Sequence, residues 1–171
     1  MENRVIYKDA PEYCYYFFDL VPTNDLLAEL ENSKELTLNL FNLITAELQN
    51  YTYEPNKWTT KEVLRHLIDM ERIFQYRAFR FSRFDDTELS GVEENDYIEK
   101  VNQTEIALAD LREDYLAVRS STINLYKNMT EKMFDFKGVA NGQAFTARTL
   151  GFAIVGHNLH HIHFIRTRYL Q

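Results

Sequence analysis

The feature that most narrows what this chain can fold into is its proline distribution: the three prolines, Pro11, Pro22 and Pro55, all lie in the first third of 171 residues. Proline inside a helix removes a backbone donor and clashes with the preceding turn. Everything after Pro55 is therefore free to form long helices, and the spacing of apolar residues says that it does. Leu108, Leu111, Tyr115, Val118, Thr122, Leu125 and Met129 recur at three- and four-residue intervals, the seam of a helix facing a bundle. Thr59-Thr60-Lys61-Glu62 is a capping box, so a helix is predicted from there to about Phe84. A last helix runs from about Thr146 to Tyr169.

Upstream, Leu26, Leu27, Leu30, Leu36, Leu40, Leu43, Ile44 and Leu48 supply the apolar stripe of a helix over 24–49, with Ser33 the place where it could break. Residues 11–20 form a short aromatic helix that Pro22 ends. Asn102 with Glu105 resembles a helix start. Residues 85–97 are polar and form a loop long enough to cover something. Residues 135–145 hold Gly138 and the turn signal Asn141-Gly142. No β-branched runs alternate with these helices, and no linker or repeat divides them. The expected architecture is all-α, a four-helix bundle with an extra short N-terminal helix, as a single domain over 1–171.

Composition removes several function classes. Hydrophobic residues make up 45%, enough for a folded core. The net charge of −7 argues against a nucleic-acid partner, which needs a basic footprint. The arginines at 72, 77, 80 and 83 run straight into Asp85 and Asp86, an ion-paired helix rather than a phosphate-binding face. Cys14 is the single cysteine, so no intrachain disulfide forms and the residue is expected to be a packed small side chain. No apolar run approaches the roughly 20 residues of a membrane span, and the first residues carry no apolar core of a signal peptide. A cytoplasmic location is the expectation.

The chemistry concentrates in histidine. Four of the five histidines fall between His157 and His163; the fifth is His66. His157 and His161, four apart, share one helix face, about 40° from each other, with Ile154 and Phe164 nearby. On the earlier helix His66 lies within about 60° of Val63, Met70 and Ile73. Both sets point into the bundle. Three imidazoles on one divalent ion would satisfy one nitrogen of each ring and leave coordination positions open, as catalytic sites require. The same spacing also fits a core or surface histidine cluster. His160 is the alternative to His161, although the four-residue spacing gives the better shared grip. His163 points away. Asp69, one turn past His66, could orient that ring or pair with Arg65, Arg72 or Arg77. There is no Ser-His-Asp set, phosphate loop, Cys-x-x-Cys or His-Glu-x-x-His, and the Glu-x-x-His spacing of di-iron bundles is missing: position 63 is Val and position 154 is Ile.

Four segments taken together resemble the DinB/YfiT-like metalloenzyme family. Trp58-Thr59-Thr60-Lys61-Glu62-Val63-Leu64-Arg65-His66-Leu67 is similar to its K-W-S-x-x-E-x-x-x-H-L signature, and Asp69, Glu71, Arg72, Tyr76 and Arg77 to the D-x-E-R-x-x-x-Y-R that follows. Residues 91–97 fit its G-F-D-E-N-x-Y loop, and residues 156–161 its G-H-x-x-H-H close. The resemblance implies an up-down-down-up bundle, often a homodimer, with a divalent metal, zinc or nickel, on His66, His157 and His161. It also implies a low-molecular-weight thiol as co-reactant, because characterised members include thiol-dependent isomerases and transferases. The expected activity is a metal-dependent thiol S-transferase acting on small electrophiles. A hydrolase at the same site and a non-catalytic metal-binding dimer are the alternatives. Tyr97 with the 85–97 loop is the candidate wall or lid, and Arg72, Arg77 or Arg148 the candidate contact for a carboxylate of the thiol, each alternatively a structural ion pair. Trp58 is expected to anchor the helix start.

Overall fold

The computed structural model describes residues 5–101 and 105–170. Two 3-10 turns at Val5–Asp9 and Glu12–Cys14 lead into a short helix α1, Tyr15–Asp19. Four long helices follow: α2 (Leu26–Leu43), α3 (Thr60–Ser82), α5 (Leu108–Lys127) and α7 (Ala147–Arg168), with short helices α4 (Glu94–Glu99) and α6 (Glu131–Asp135) between them. The capping box at Thr59 is formed: its hydroxyl accepts from the Glu62 amide, and Glu62 accepts from the Thr59 amide.

Contacts between the helices set the topology. Thr37 meets Asn158, and Leu26 lies against Gly151, so α2 runs parallel to α7. Arg65 meets Asp114 and Gln75 meets Ser121, so α3 runs parallel to α5. Phe41 packs on Tyr115 while Leu30 receives Arg119, so α2 and α5 are antiparallel. The bundle is up-down-down-up, and each consecutive pair α2/α3 and α5/α7 sits across a diagonal. That crossing puts α3 directly beside α7, the two helices that carry His66 and the histidine cluster.

Helix α2 does not break at Ser33. It runs unbroken to Leu43 because the Ser33 hydroxyl is used rather than wasted: it accepts from Arg119 Nη1 at 2.6 Å. It also ends earlier than the leucine pattern predicts. Ile44 leaves helical dihedrals at φ −86°, ψ 105° while keeping its side chain in the core. Helix α5 begins at Leu108, after the Asn102-Glu105 signal; Asn102 itself lies outside the described residues. The stretch predicted as a plain connection contains a β-hairpin, β1 (Lys137–Ala140) and β2 (Gln143–Thr146). Asn141 and Gly142, at φ 53° and 68°, supply the left-handed pair of a two-residue hairpin turn. Four-residue strands are too short for a period-two signal to stand out from a loop. The hairpin then tethers the 85–93 segment, with Leu89 N–H donating to Val139 O and Asn141 N–H to Leu89 O, both at 2.9 Å.

Helix α1 lies against α7 at Gly156, where an added Cβ would stand 2.1 Å from the Phe17 carbonyl oxygen. Gly156→Ala must push α1 outward. A loss of about 1–3 kcal/mol in urea-measured stability is expected; an unchanged midpoint would show that α1 is not seated as described.

Candidate metal centre

His66 projects from the second turn of α3 and His157 and His161 from successive turns of α7. Their rings converge. The Nε2 atoms of His66 and His157 lie 3.1 Å apart, as do those of His157 and His161. One ligand nitrogen from each of the three falls within 4.8 Å of the others. Two imidazole nitrogens on one ion at ordinary Zn–N lengths stand about 2.9–3.4 Å apart, so both 3.1 Å spacings fit a shared cation.

His157 is central and is walled by Phe17 and Phe74, with ring centroids at 5.6 and 6.1 Å; Trp58 stands 5.0 Å from the His66 ring. This apolar wall disfavours protonation. Burial, with a smaller contribution from His160, pushes His66 down to about 4. Burial and the neighbouring imidazoles hold His157 and His161 well below the usual range. Three neutral rings facing one another cannot all donate into the gap, whereas three lone pairs directed at a cation are satisfied together. The donor set and its spacing fit a divalent ion. The Nδ1 atom of His161 is buried without a hydrogen-bond partner, which leaves that ring less firmly oriented than a ligand with an outer partner.

His160 takes no part in the cluster. Its Nδ1 lies 3.0 Å from the Tyr16 hydroxyl, and its ring stacks on Phe164. His163 is exposed. Asp69 turns to Arg72 and Arg65, at 3.4 and 3.9 Å, so its role is the ion pair rather than the orientation of His66.

A cavity of about 350 Å³ reaches His161. Its walls are Tyr53, Trp58, Phe164 and Tyr169, with Asn56, Lys57, Asn95 and His160 as further polar groups. Trp58 thus lines the cavity as well as anchoring the helix start. From the 85–97 segment it is Asn95 that lines this space; Tyr97 faces two other cavities, as does Arg72. Arg72 is paired with Asp114, and Arg77 lies under the 85–93 segment with its guanidinium on the Ser90 carbonyl. Arg148 is bound to Glu131 and Asp135 and lies over the Phe134 ring. None of these four lines the cavity at His161. Apart from the histidines, the polar residues that do are Asn56 and Lys57, in the connection before α3, and Asn95, in the short helix α4; neither segment is long enough for a periodicity to mark which way a side chain faces.

The sequence profile of the DinB superfamily matches residues 29–165. The chain belongs to that superfamily. No curated protein matches it. Among solved structures it is similar to YfiT from Bacillus subtilis, at 17% identity and a TM-score of 0.68, with 98% of this chain and 90% of that chain covered. YfiT is described as "a probable metal-dependent hydrolase with an unusual four-helix bundle topology". At that identity the likeness is one of fold, and the shared bundle course places α3 beside α7. Among the described residues no helix is long and apolar enough to cross a membrane.

The low basicity of the triad has a consequence for the metal-free protein. An unfolded histidine takes up its proton near 6.5, whereas folded His66 stays neutral down to about 4. Between these values the unfolded state binds more protons, so stability is full above the upper value and falls as pH drops toward the lower. His157 and His161 carry the same slope further down. The urea midpoint of metal-free protein is expected to decline steadily from pH ~7 to ~4, and less steeply in His66→Ala. A midpoint flat across that window would contradict the burial of neutral rings.

Proposed function

We propose that this protein is a metal-dependent transferase that joins a small thiol to an electrophile, with His66, His157 and His161 holding the ion. The observation that carries this reading is the convergence of three neutral imidazole nitrogens within 4.8 Å beside a cavity that contains no carboxylate. A divalent ion bound there supplies a Lewis acid that lowers the pKa of a thiol. The histidines contribute fixed, uncharged ligands. Trp58, Phe164, Tyr53 and Tyr169 exclude water from one side, and Lys57, Asn56 and Asn95 offer polar contacts to the reactant.

Two features favour transfer over hydrolysis. With no Asp or Glu in the cavity lining, no carboxylate stands ready as a general base for water. Nor can the chain supply its own thiolate, because burial pushes the Cys14 thiol up to about 12 and its side chain packs in the core away from the cavity. The nucleophile then arrives as a second reactant. The competing reading, a hydrolase at the same centre, is supported by the description of YfiT.

The deciding assay loads purified protein with zinc or nickel and follows both free-thiol consumption, using cysteine and a chloro-dinitrobenzene electrophile, and hydrolysis of a nitrophenyl ester. Metal-dependent thiol consumption that disappears in His157→Ala is expected. Metal-dependent ester cleavage without thiol consumption would establish the hydrolase. Tight metal with neither reaction would leave a binding protein.

A further inference from the structure

Arg77 is a cation covered by protein with no anion beside it. It is 6% exposed. Among the described residues its guanidinium makes one hydrogen bond, from Nη2 to the Ser90 carbonyl at 3.0 Å. Among the described residues no Asp or Glu lies within ion-pair distance of it, and its titratable neighbours are the phenols of Tyr13 and Tyr97. Neighbouring arginines are neutralised: half-buried Arg80 by Asp85, buried Arg119 by Glu71, and even exposed Arg72 by Asp114. A charge so covered is expected to be paired, since removing it from water is costly.

The Ser90 contact does not account for the charge. A carbonyl asks for one neutral N–H, while a guanidinium carries five donors in a planar fork matched to an oxyanion. Arg77 lines a cavity of about 550 Å³ together with Arg72, Arg80, Ser90 and Tyr97, with Glu88 as its acidic member. The cavity wall is held in place by the hairpin: Leu89 is bonded on both sides to it, and a Cβ at Gly91 would overlap Asn141. The space is therefore built rather than a gap under a loose loop.

We infer that this cavity is a second ligand site, taking a small molecule through a carboxylate or phosphate group seated on Arg77. Smallness follows from the electrostatics. A net charge of −7 and Glu88 in the wall repel a polyanion, whereas a single oxyanion meets the guanidinium locally. The site is separate from the histidine centre. Arg77 lies eleven positions beyond His66, about 16 Å along α3, and no residue lines both cavities. Its occupancy needs no metal and does not depend on the reaction proposed above.

The test is calorimetric titration of metal-free protein with inorganic phosphate, and separately with acetate, against chloride at equal ionic strength. Saturable binding of one or both oxyanions is expected, at least about tenfold weaker in Arg77→Gln, as loss of a charge-assisted hydrogen bond requires, and unchanged in His66→Ala. Phosphate binding without acetate would assign a phosphoryl group; the reverse would assign a carboxylate. No saturation by either anion, or equal binding by Arg77→Gln, overturns the proposal. Should Arg77→Gln fail to fold, the Arg77 Nε–H resonance of the unmodified protein decides: a saturable shift with the anion supports the site, and a resonance that stays fixed removes it.

Discussion

His157→Ala is expected to abolish metal binding. The Nε2 of His157 stands 3.1 Å from both other ligand nitrogens, so its loss leaves His66 and His161 without the atom that bridges them. Outer partners of metal ligands already account for 10–100-fold in affinity, and a ligand itself should exceed that, more than ~100-fold. The fold should survive. The removed ring is one face of an aromatic-walled space, and an alanine there leaves two neutral histidines rather than a stranded charge. Metal content of dialysed protein, with the helical circular dichroism signal as the control, reads both. Retention of one ion per chain in His157→Ala would move the centre elsewhere. His160→Ala serves as the contrast: its ring is engaged with Tyr16 and Phe164, so full metal content is expected.

Glu71→Ala is expected to be the most destabilising single change. Arg119 is 0% exposed, and both oxygens of Glu71 accept from it, at 2.7 and 2.8 Å. Thr122 donates to the same carboxylate, while Arg119 also donates to Leu30 O and Ser33 Oγ, so α2, α3 and α5 are tied through one ion pair. Removing the carboxylate strands a guanidinium in the core, a loss of about 3–5 kcal/mol. That is a large share of the ~5–15 kcal/mol by which a domain of this kind is stable. Replacing the pair together by apolar residues of similar volume, Glu71→Met with Arg119→Met, should recover most of the loss, because the cost lies in the unpaired charge rather than in the missing bond. Denaturant unfolding of the three variants tests this; equal destabilisation in the double variant would show that the pair itself carries the stability.

Local order was open to reading from the chain alone. Helix period is a property of neighbours three and four apart, so the long helices, the Thr59 cap and the inward aim of His66, His157 and His161 follow from spacing within each segment. Tertiary packing decided the rest. Angular position on α7 leaves His160 and His161 both within reach of the bundle interior; α1 settles the matter by presenting Tyr16 to His160. Ser33 looks like a helix breaker until Arg119 arrives from α5 to use its hydroxyl. In sequence Arg77 is one of three arginines that could meet a carboxylate, and only the return of residues 85–93 over it separates it from Arg72 and Arg148 as the cation with no carboxylate beside it among the described residues. In each case the deciding partner is remote in the chain, and no periodicity of a single helix encodes which distant side chain will be laid against it.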